Sequence, residues 1–322
     1  MLDTAAMIVI FCATLFIYLH VFYHLKTCDE LEILRINVPT KERLEEVCAL
    51  RQPIVFPVGS IATATETDLE SLSNKSCKGD LQIRNVTHVD SLSEYPIPLS
   101  VDATIQLLSK DEDGRFFTER NGMFVEENSI ADRFSSFDDL FRPTAVVGHE
   151  VDIMSGSRGA YTPFRYHVNY RHFLHSSSGD VRIRLSPPST AKGLHMLNDY
   201  ENMEFRVRGN QWKEEKIQRA DIFLRKGEVL FIPAYWIYSI MYEGQATLIS
   251  FSYRTLMSSI SVSPQVLLKV LQSQNTKHRI TDRQGTEEFR PIVAREKLDA
   301  ICEGKHDSVK KDTKHSRKKK KN

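Results

Sequence analysis

The chain has 322 residues, 41% of them hydrophobic and 26% charged, and 43 Lys and Arg against 42 Asp and Glu give a formal net charge of +1. These values sit near globular averages and fit one large domain with appendages or two small ones, although the bland net charge averages an apolar beginning with a strongly basic end. Five cysteines, Cys12, Cys28, Cys48, Cys77 and Cys302, include no CxxC pair; an odd count excludes a complete disulfide framework within one chain, and a reduced, cytosol-facing body is the simpler reading.

After a short N-terminal end at 1–4, residues 5–25 read AAMIVIFCATLFIYLHVFYHL, without Lys, Arg, Asp or Glu. As a helix such a run spans the ~30 Å hydrocarbon core of a bilayer. No basic segment precedes it and no small-x-small cleavage site closes it, which favours an uncleaved transmembrane anchor over a signal peptide or a buried core helix. Lys26, Arg35, Lys41 and Arg43 follow the span while only Asp3 and the amino group precede it, so the body is expected to face the cytosol. The membrane is that of the endoplasmic reticulum or of an enveloped particle, and the sequons Asn74-Lys75-Ser76 and Asn85-Val86-Thr87 would carry no glycan. His20 and His24, four apart, have the spacing of a haem or metal ligand pair. Their place in the last turns, beside Tyr18 and Tyr23, favours interfacial anchoring instead.

Residues 26–39 are read as a linker and 40–300 as one domain. Thr40 is the expected N-cap of a helix carrying Glu42, Leu44, Val47 and Leu50, which feeds the strand Pro53-Ile54-Val55-Phe56. Further strands are predicted at Leu81–Thr87, Thr144–Val147, Tyr166–Leu174, Val181–Leu185, Val229–Ile232 and Ala246–Tyr253, with a helix at Val101–Ser109. Many short strands with helices concentrated at the front predict a mainly β domain, an antiparallel sandwich or barrel with flanking helices. Within it, Val181, Ile183 and Leu185 form one stripe of a strand and Arg182 and Arg184 the other. His172 and His175, three apart on a predicted strand, are expected on opposite faces as ordinary surface or edge residues. Tyr235, Trp236 and Tyr238 have the chemistry of a methyl-lysine cage, or else fill a barrel mouth, the favoured alternative.

Two stretches carry a resemblance. One runs Gly156-Ser157-Arg158-Gly159-Ala160-Tyr161-Thr162-Pro163-Phe164, then through a turn at Ser178-Gly179-Asp180 into Val181-Arg182-Ile183-Arg184-Leu185-Ser186-Pro187-Pro188. The other is Leu224-Arg225-Lys226-Gly227-Glu228-Val229-Leu230-Phe231-Ile232-Pro233-Ala234-Tyr235-Trp236. With the opening Arg51-Gln52-Pro53-Ile54-Val55-Phe56, they resemble the JmjC/cupin-like iron and 2-oxoglutarate oxygenases that include the factor-inhibiting-HIF hydroxylases. The resemblance covers about residues 40–255, with 256–300 a helical extension, and implies a double-stranded β-helix, or jelly roll.

Active members of that family hold Fe(II) with two His and one carboxylate, leaving positions open for 2-oxoglutarate and oxygen. The resemblance places Arg165 and His167 in the His-x-Asp slots and Tyr238 at the third ligand. Val181 stands where a co-substrate lysine is usual, and Thr162 alone matches the typical co-substrate contacts. A guanidinium has only donors and stays protonated, so Arg165 cannot ligate iron. Between Thr162 and Gly179 the chain carries one residue more than the family's spacing; a bulge there would offer His167-Val168-Asn169 as a degenerate His-x-Asp. If Arg165 points inward, its charge needs an internal carboxylate, which would make the pocket structural, or else a small anionic ligand near Thr162 and Tyr238.

Residues 301–322 end in a lysine-rich run and are expected to be disordered. Lys305–Asn322 suit anionic lipid or the phosphates of nucleic acid, and Lys319-Lys320-Lys321-Asn322 resembles a dilysine retrieval signal. The sequence thus reads as a membrane-anchored cupin-like protein, a non-catalytic binding or scaffold module with no metal or cofactor. The alternatives are an Fe(II)/2-oxoglutarate-dependent hydroxylase or demethylase with atypical ligands, and a polybasic tether.

Overall fold

The computed structural model describes residues 3–59, 67–75, 77–88, 96–200, 203–210, 212 and 218–274. Of two units, Met1–Gln272 and Ser273–Asn322, the second lies almost wholly outside the described residues, and so do the basic tail and the extension past 274. The chain opens with helix α1 (Thr4–Leu25), in which no residue is buried.

Strand β1 (Leu34–Arg35) pairs parallel with β2 (Ile54–Pro57), so the stretch read as a linker joins the sheet. Between them, α2 (Lys41–Cys48) begins where expected: the Thr40 hydroxyl accepts from Arg43 N–H at 3.2 Å. Then come α3 (Leu69–Ser73), β3 (Leu81–Asn85), β4 (Ile97–Leu99), α4 (Val101–Lys110), β5 (Phe116–Thr118), α5 (Gly122–Glu127) and α6 (Ser135–Phe141). The strands of the second half are β6 (Val146–Gly156), β7 (Arg165–Tyr166), β8 (Arg171–Ser178), β9 (Val181–Ser186), β10 (Met196–Asp199), β11 (Glu204–Val207), β12 (Ala220–Leu224), β13 (Glu228–Ile232), β14 (Ile237–Tyr242) and β15 (Ala246–Thr255), followed by α7 (Leu256–Ser261) and α8 (Ser263–Ser273).

Nine strands form one sheet in the order β1-β2-β13-β8-β15-β6-β5-β3-β4, and six form another, β10-β11-β7-β14-β9-β12. Among the described residues every strand pairing but β1–β2 is antiparallel. Period-two alternation divides the larger sheet's side chains between two cores. Ile54, Phe56, Phe173, Val229, Phe231, Ile249 and Phe251 join residues of α2, α4, α5 and α6 in one core. Their neighbours Val55, Leu174, Leu230, Ile232 and Leu248 share the other with Val181, Ile183, Leu185, Tyr238, Ile240 and Tyr242 of the smaller sheet. The layers are therefore helices, nine-stranded sheet, six-stranded sheet. The helix-side core is aromatic, with Phe141 stacked on Phe173 at 4.3 Å; each buried Phe contributes about 1.5–3 kcal/mol.

Three sequence expectations are corrected. The strand placed at 144–147 starts at Val146 and runs to Gly156, because Val151, Ile153 and Met154 continue the alternation beyond the polar Gly148-His149-Glu150. The strand placed at 166–174 is two strands in different sheets, β7 and β8. His172 and His175 lie on opposite faces of β8 but are buried, not at a surface or edge, because β8 runs between β13 and β15 in mid-sheet.

Candidate functional site: a buried ionic cluster

Strand β7 is only two residues long, and its neighbours decide what it does. Arg165 lies opposite Tyr238 of β14 on one side and Arg206 of β11 on the other. The guanidinium engages both oxygens of the Glu119 carboxylate, Nη1 donating to Oε1 at 2.7 Å and Nη2 to Oε2, and Nη1 also donates to Glu204 Oε1 at 3.1 Å. Arg84 pairs with Glu119, Arg120 with Glu204, and Arg206 Nε stands 3.8 Å from Glu204. Two carboxylates thus serve four guanidiniums. A third, Asp152, accepts the backbone N–H of Arg120 and Asn121 at 2.7 Å each.

Burial alone would raise the Glu119 carboxyl, but Arg165 and Arg84 outweigh it and hold it well below the usual carboxylate range. Burial likewise opposes the Arg165 cation, yet Glu119 and Tyr238 keep it more firmly protonated than a free guanidinium. Burial lifts Asp152 to about 6 against its backbone donors. Such charge-assisted, forked contacts are among the stronger hydrogen bonds and hold the guanidinium plane in place. Tyr238 completes the enclosure, its ring centroid 5.7 Å from the Arg165 guanidinium carbon.

Just past β7, the His167 carbonyl accepts from Tyr235 N–H at 2.9 Å. Its ring is buried with neither nitrogen hydrogen-bonded among the described residues, 4.3 Å from the His172 ring and 5.8 Å from Tyr238 between centroids. Burial, reinforced by Arg165, lowers His167 to about 3, so the ring is neutral. His172 Nδ1 lies 2.8 Å from Ser252 Oγ, and the Tyr238 hydroxyl is 3.4 Å from His172 Nε2.

Of the residues singled out in the sequence, Arg165, His167 and Tyr238 come together. Thr162 is fully buried and tied to β14: its Oγ1 accepts from Ile240 N–H at 2.9 Å and its carbonyl accepts from the Ser239 hydroxyl at 2.5 Å. Val181 sits in the core between the sheets, opposite Tyr242 and Leu224. Trp236 and Tyr238 are buried in that core, while Tyr235 is only partly covered, so the three do not form an open cage. The β15–β8 register shifts by one residue between Ser176 and Ser178. The pairing irregularity thus falls at the Gly179 end of the segment, while Arg165 stays level with Tyr238. At the end of α1, His24 Nδ1 lies 2.8 Å from the His20 carbonyl, and the His24 ring packs on Tyr170.

Sequence reasoning missed Arg84, Glu119, Arg120, Asp152, Glu204 and Arg206, and placed His172 at a surface or edge. In sequence, Glu204-Phe205-Arg206-Val207 reads as an ordinary strand with charge on one face and apolar residues on the other; only the structure shows all four buried, the charged face meeting partners distant in sequence. As an iron site the arrangement does not fit. Arg165 offers donors only, the Glu119 carboxylate is consumed by guanidiniums, and a nearby fixed cation opposes a second one. No protein-family model matches this chain, and no curated protein matches it.

Proposed function

We propose that this is a single-pass membrane protein whose cytosol-facing, cupin-like body is a non-catalytic binding or scaffold module. The observation that carries this is the Arg165–Glu119–Glu204 cluster: a fixed guanidinium, already neutralised from within, stands opposite Tyr238 where the resembled family would gather metal ligands. For Arg165 itself, counter-charge comes from the Glu119 and Glu204 carboxylates, which supports reading the centre as a structural element.

Retention of α1 is supported by how its end is built into the body. Arg51 Nη1 donates to the carbonyls of His24, at 3.1 Å, and Lys26, and its guanidinium lies 4.8 Å from the Tyr23 ring centroid. Cleavage behind the apolar run would discard Tyr23 and His24 and leave Arg51 and Tyr170 without them. An apolar helix of 22 residues, none of them buried, roughly 33 Å long at 1.5 Å per residue, matches a bilayer core.

Purified full-length protein in detergent should retain no stoichiometric Fe(II), Mn(II) or Zn(II) and should not turn over 2-oxoglutarate when iron and ascorbate are added. Stoichiometric iron that disappears on His167→Ala would put an oxygenase with atypical ligands ahead of this reading.

A further inference from the structure

Beyond the anchor, the described chain ends in a second apolar feature that no part of the body covers. In α8, Val266, Leu267, Leu268, Val270 and Leu271 are all exposed, Leu267 by 59% and Leu271 by 55%; Val266, Leu267, Val270 and Leu271 occupy one broad arc at the spacing of a single helical face, and Leu268 extends its edge. Gln265, Lys269 and Gln272 take the other side. Leu256 and Ile260, four apart on α7, add exposed apolar surface. A helix this open gains nothing from packing on the protein, and a short isolated helix is marginal in water.

What covers it follows from where it sits. Helix α7 packs against α1. The partly covered residues in the last two turns of α1 are His20, Val21 and His24, so α7 lies beside the end of the span, within about 9 Å of its exit along the axis. At the start of α8, Gln265 shares a cleft of about 300 Å³ with Leu25 and Thr27, the residues where the span ends. The polar side of α8 thus turns towards the body at Gln265, and its apolar arc is directed away, at the depth where aromatic and polar groups meet lipid headgroups.

We infer that α8 is an interfacial membrane helix: it lies in the bilayer surface beside the exit of α1, with the Val266–Leu267–Val270–Leu271 arc in the upper acyl region. This rests on the anchoring reading above. The second contact would add to the single span in fixing the orientation of the body on the membrane.

The test uses full-length protein reconstituted in neutral phosphatidylcholine vesicles, where electrostatic attraction of the basic tail is absent. Single variants Leu267→Trp, Leu271→Trp, Lys269→Trp and, within the span, Leu15→Trp are compared with the parent, whose own Trp212 and Trp236 give the background. Leu267→Trp and Leu271→Trp should emit at shorter wavelength and lose emission to lipid brominated high in the acyl chain. Lys269→Trp should not, and Leu15→Trp should be quenched by deeply brominated lipid. Quenching at Leu15 without quenching at Leu267 and Leu271 would overturn the interfacial helix and leave the anchor standing. A shortened wavelength without quenching at 267 would overturn it in favour of a protein partner or a second copy. Equal quenching at 267 and 269 would overturn the one-sided insertion, and absence of quenching at all four sites would remove the anchor as well.

Discussion

Arg165 shows how far one residue can be read. That its side chain cannot ligate a metal was legible from the chemistry of a guanidinium alone. Its partners were not, because Glu119 and Glu204 lie 46 and 39 residues away, and pairing at such separations is set by sheet topology. Glu119 serves both Arg165 and Arg84, so Glu119→Leu strands two buried charges and should destabilise the protein by about 3–5 kcal/mol, while Arg165→Met leaves Glu119 paired with Arg84 and should cost less. Urea denaturation of the two variants checks this; equal losses would mean that Arg84 does not hold Glu119 by itself. Acid sensitivity follows from the histidines. Unfolded, His167 and His175 titrate near 6.5, but burial lowers them to about 3 and about 4 in the fold. Below pH 6.5 the unfolded state therefore binds protons that the folded state refuses, and stability falls on acidification by up to about 1.4 kcal/mol per pH unit for each. Asp152, raised from 3.8 to about 6, works oppositely in that window and offsets about one histidine. Urea midpoints should drop between about pH 6.5 and about pH 4, with a shallower slope in His167→Phe.

At the scale of elements, legibility followed the apolar alternation. β2, α2, α4, β9, β13 and β15 were found near their observed bounds, because each carries an unbroken periodic pattern or a cap such as Thr40. β6 was cut short and β10, β11, β12 and β14 were not anticipated. Their pattern mixes in charged or hydroxyl residues that are buried beside polar partners, such as Arg206 near Glu204 on its own strand and Ser239, whose hydroxyl donates to the Thr162 carbonyl. One close approach joins the two sheets. Gly156, at the end of β6, faces the ring of Tyr242, and a Cβ there would fall inside the ring's van der Waals surface. Gly156→Ala should cost about 1–3 kcal/mol through overpacking. Adding Tyr242→Leu should return much of it, because the Tyr242 hydroxyl is buried without a partner among the described residues and its removal strands nothing. Thermal denaturation of the single and double variants gives the comparison; a neutral Gly156→Ala would mean that the sheets are further apart here than the geometry indicates.

Along the chain the molecule is polarised: an apolar helix, a body that buries one ionic cluster, and a basic end. Its orientation can be argued from the charge around α1. Positive residues near a span hold their side in the cytosol, and Lys26, Arg35, Lys41 and Arg43 all follow it. Arg51 adds to the bias and is held against the end of the span through the His24 and Lys26 carbonyls. A luminal body would reverse this bias and expose Asn85 to glycosyl transfer. The Asn85 side chain is turned towards its own sequon, its Oδ1 accepting from Thr87 N–H at 2.9 Å and from the Thr87 hydroxyl at 2.8 Å, so sequence alone does not forbid modification there. In microsomes, full-length protein should therefore carry no glycan, and added protease should digest the body while α1 stays protected. Glycan at Asn85 that is lost in Asn85→Gln would reverse the orientation, place α8 on the opposite leaflet and bring the basic tail into the lumen, where a dilysine signal has no receptor to read it.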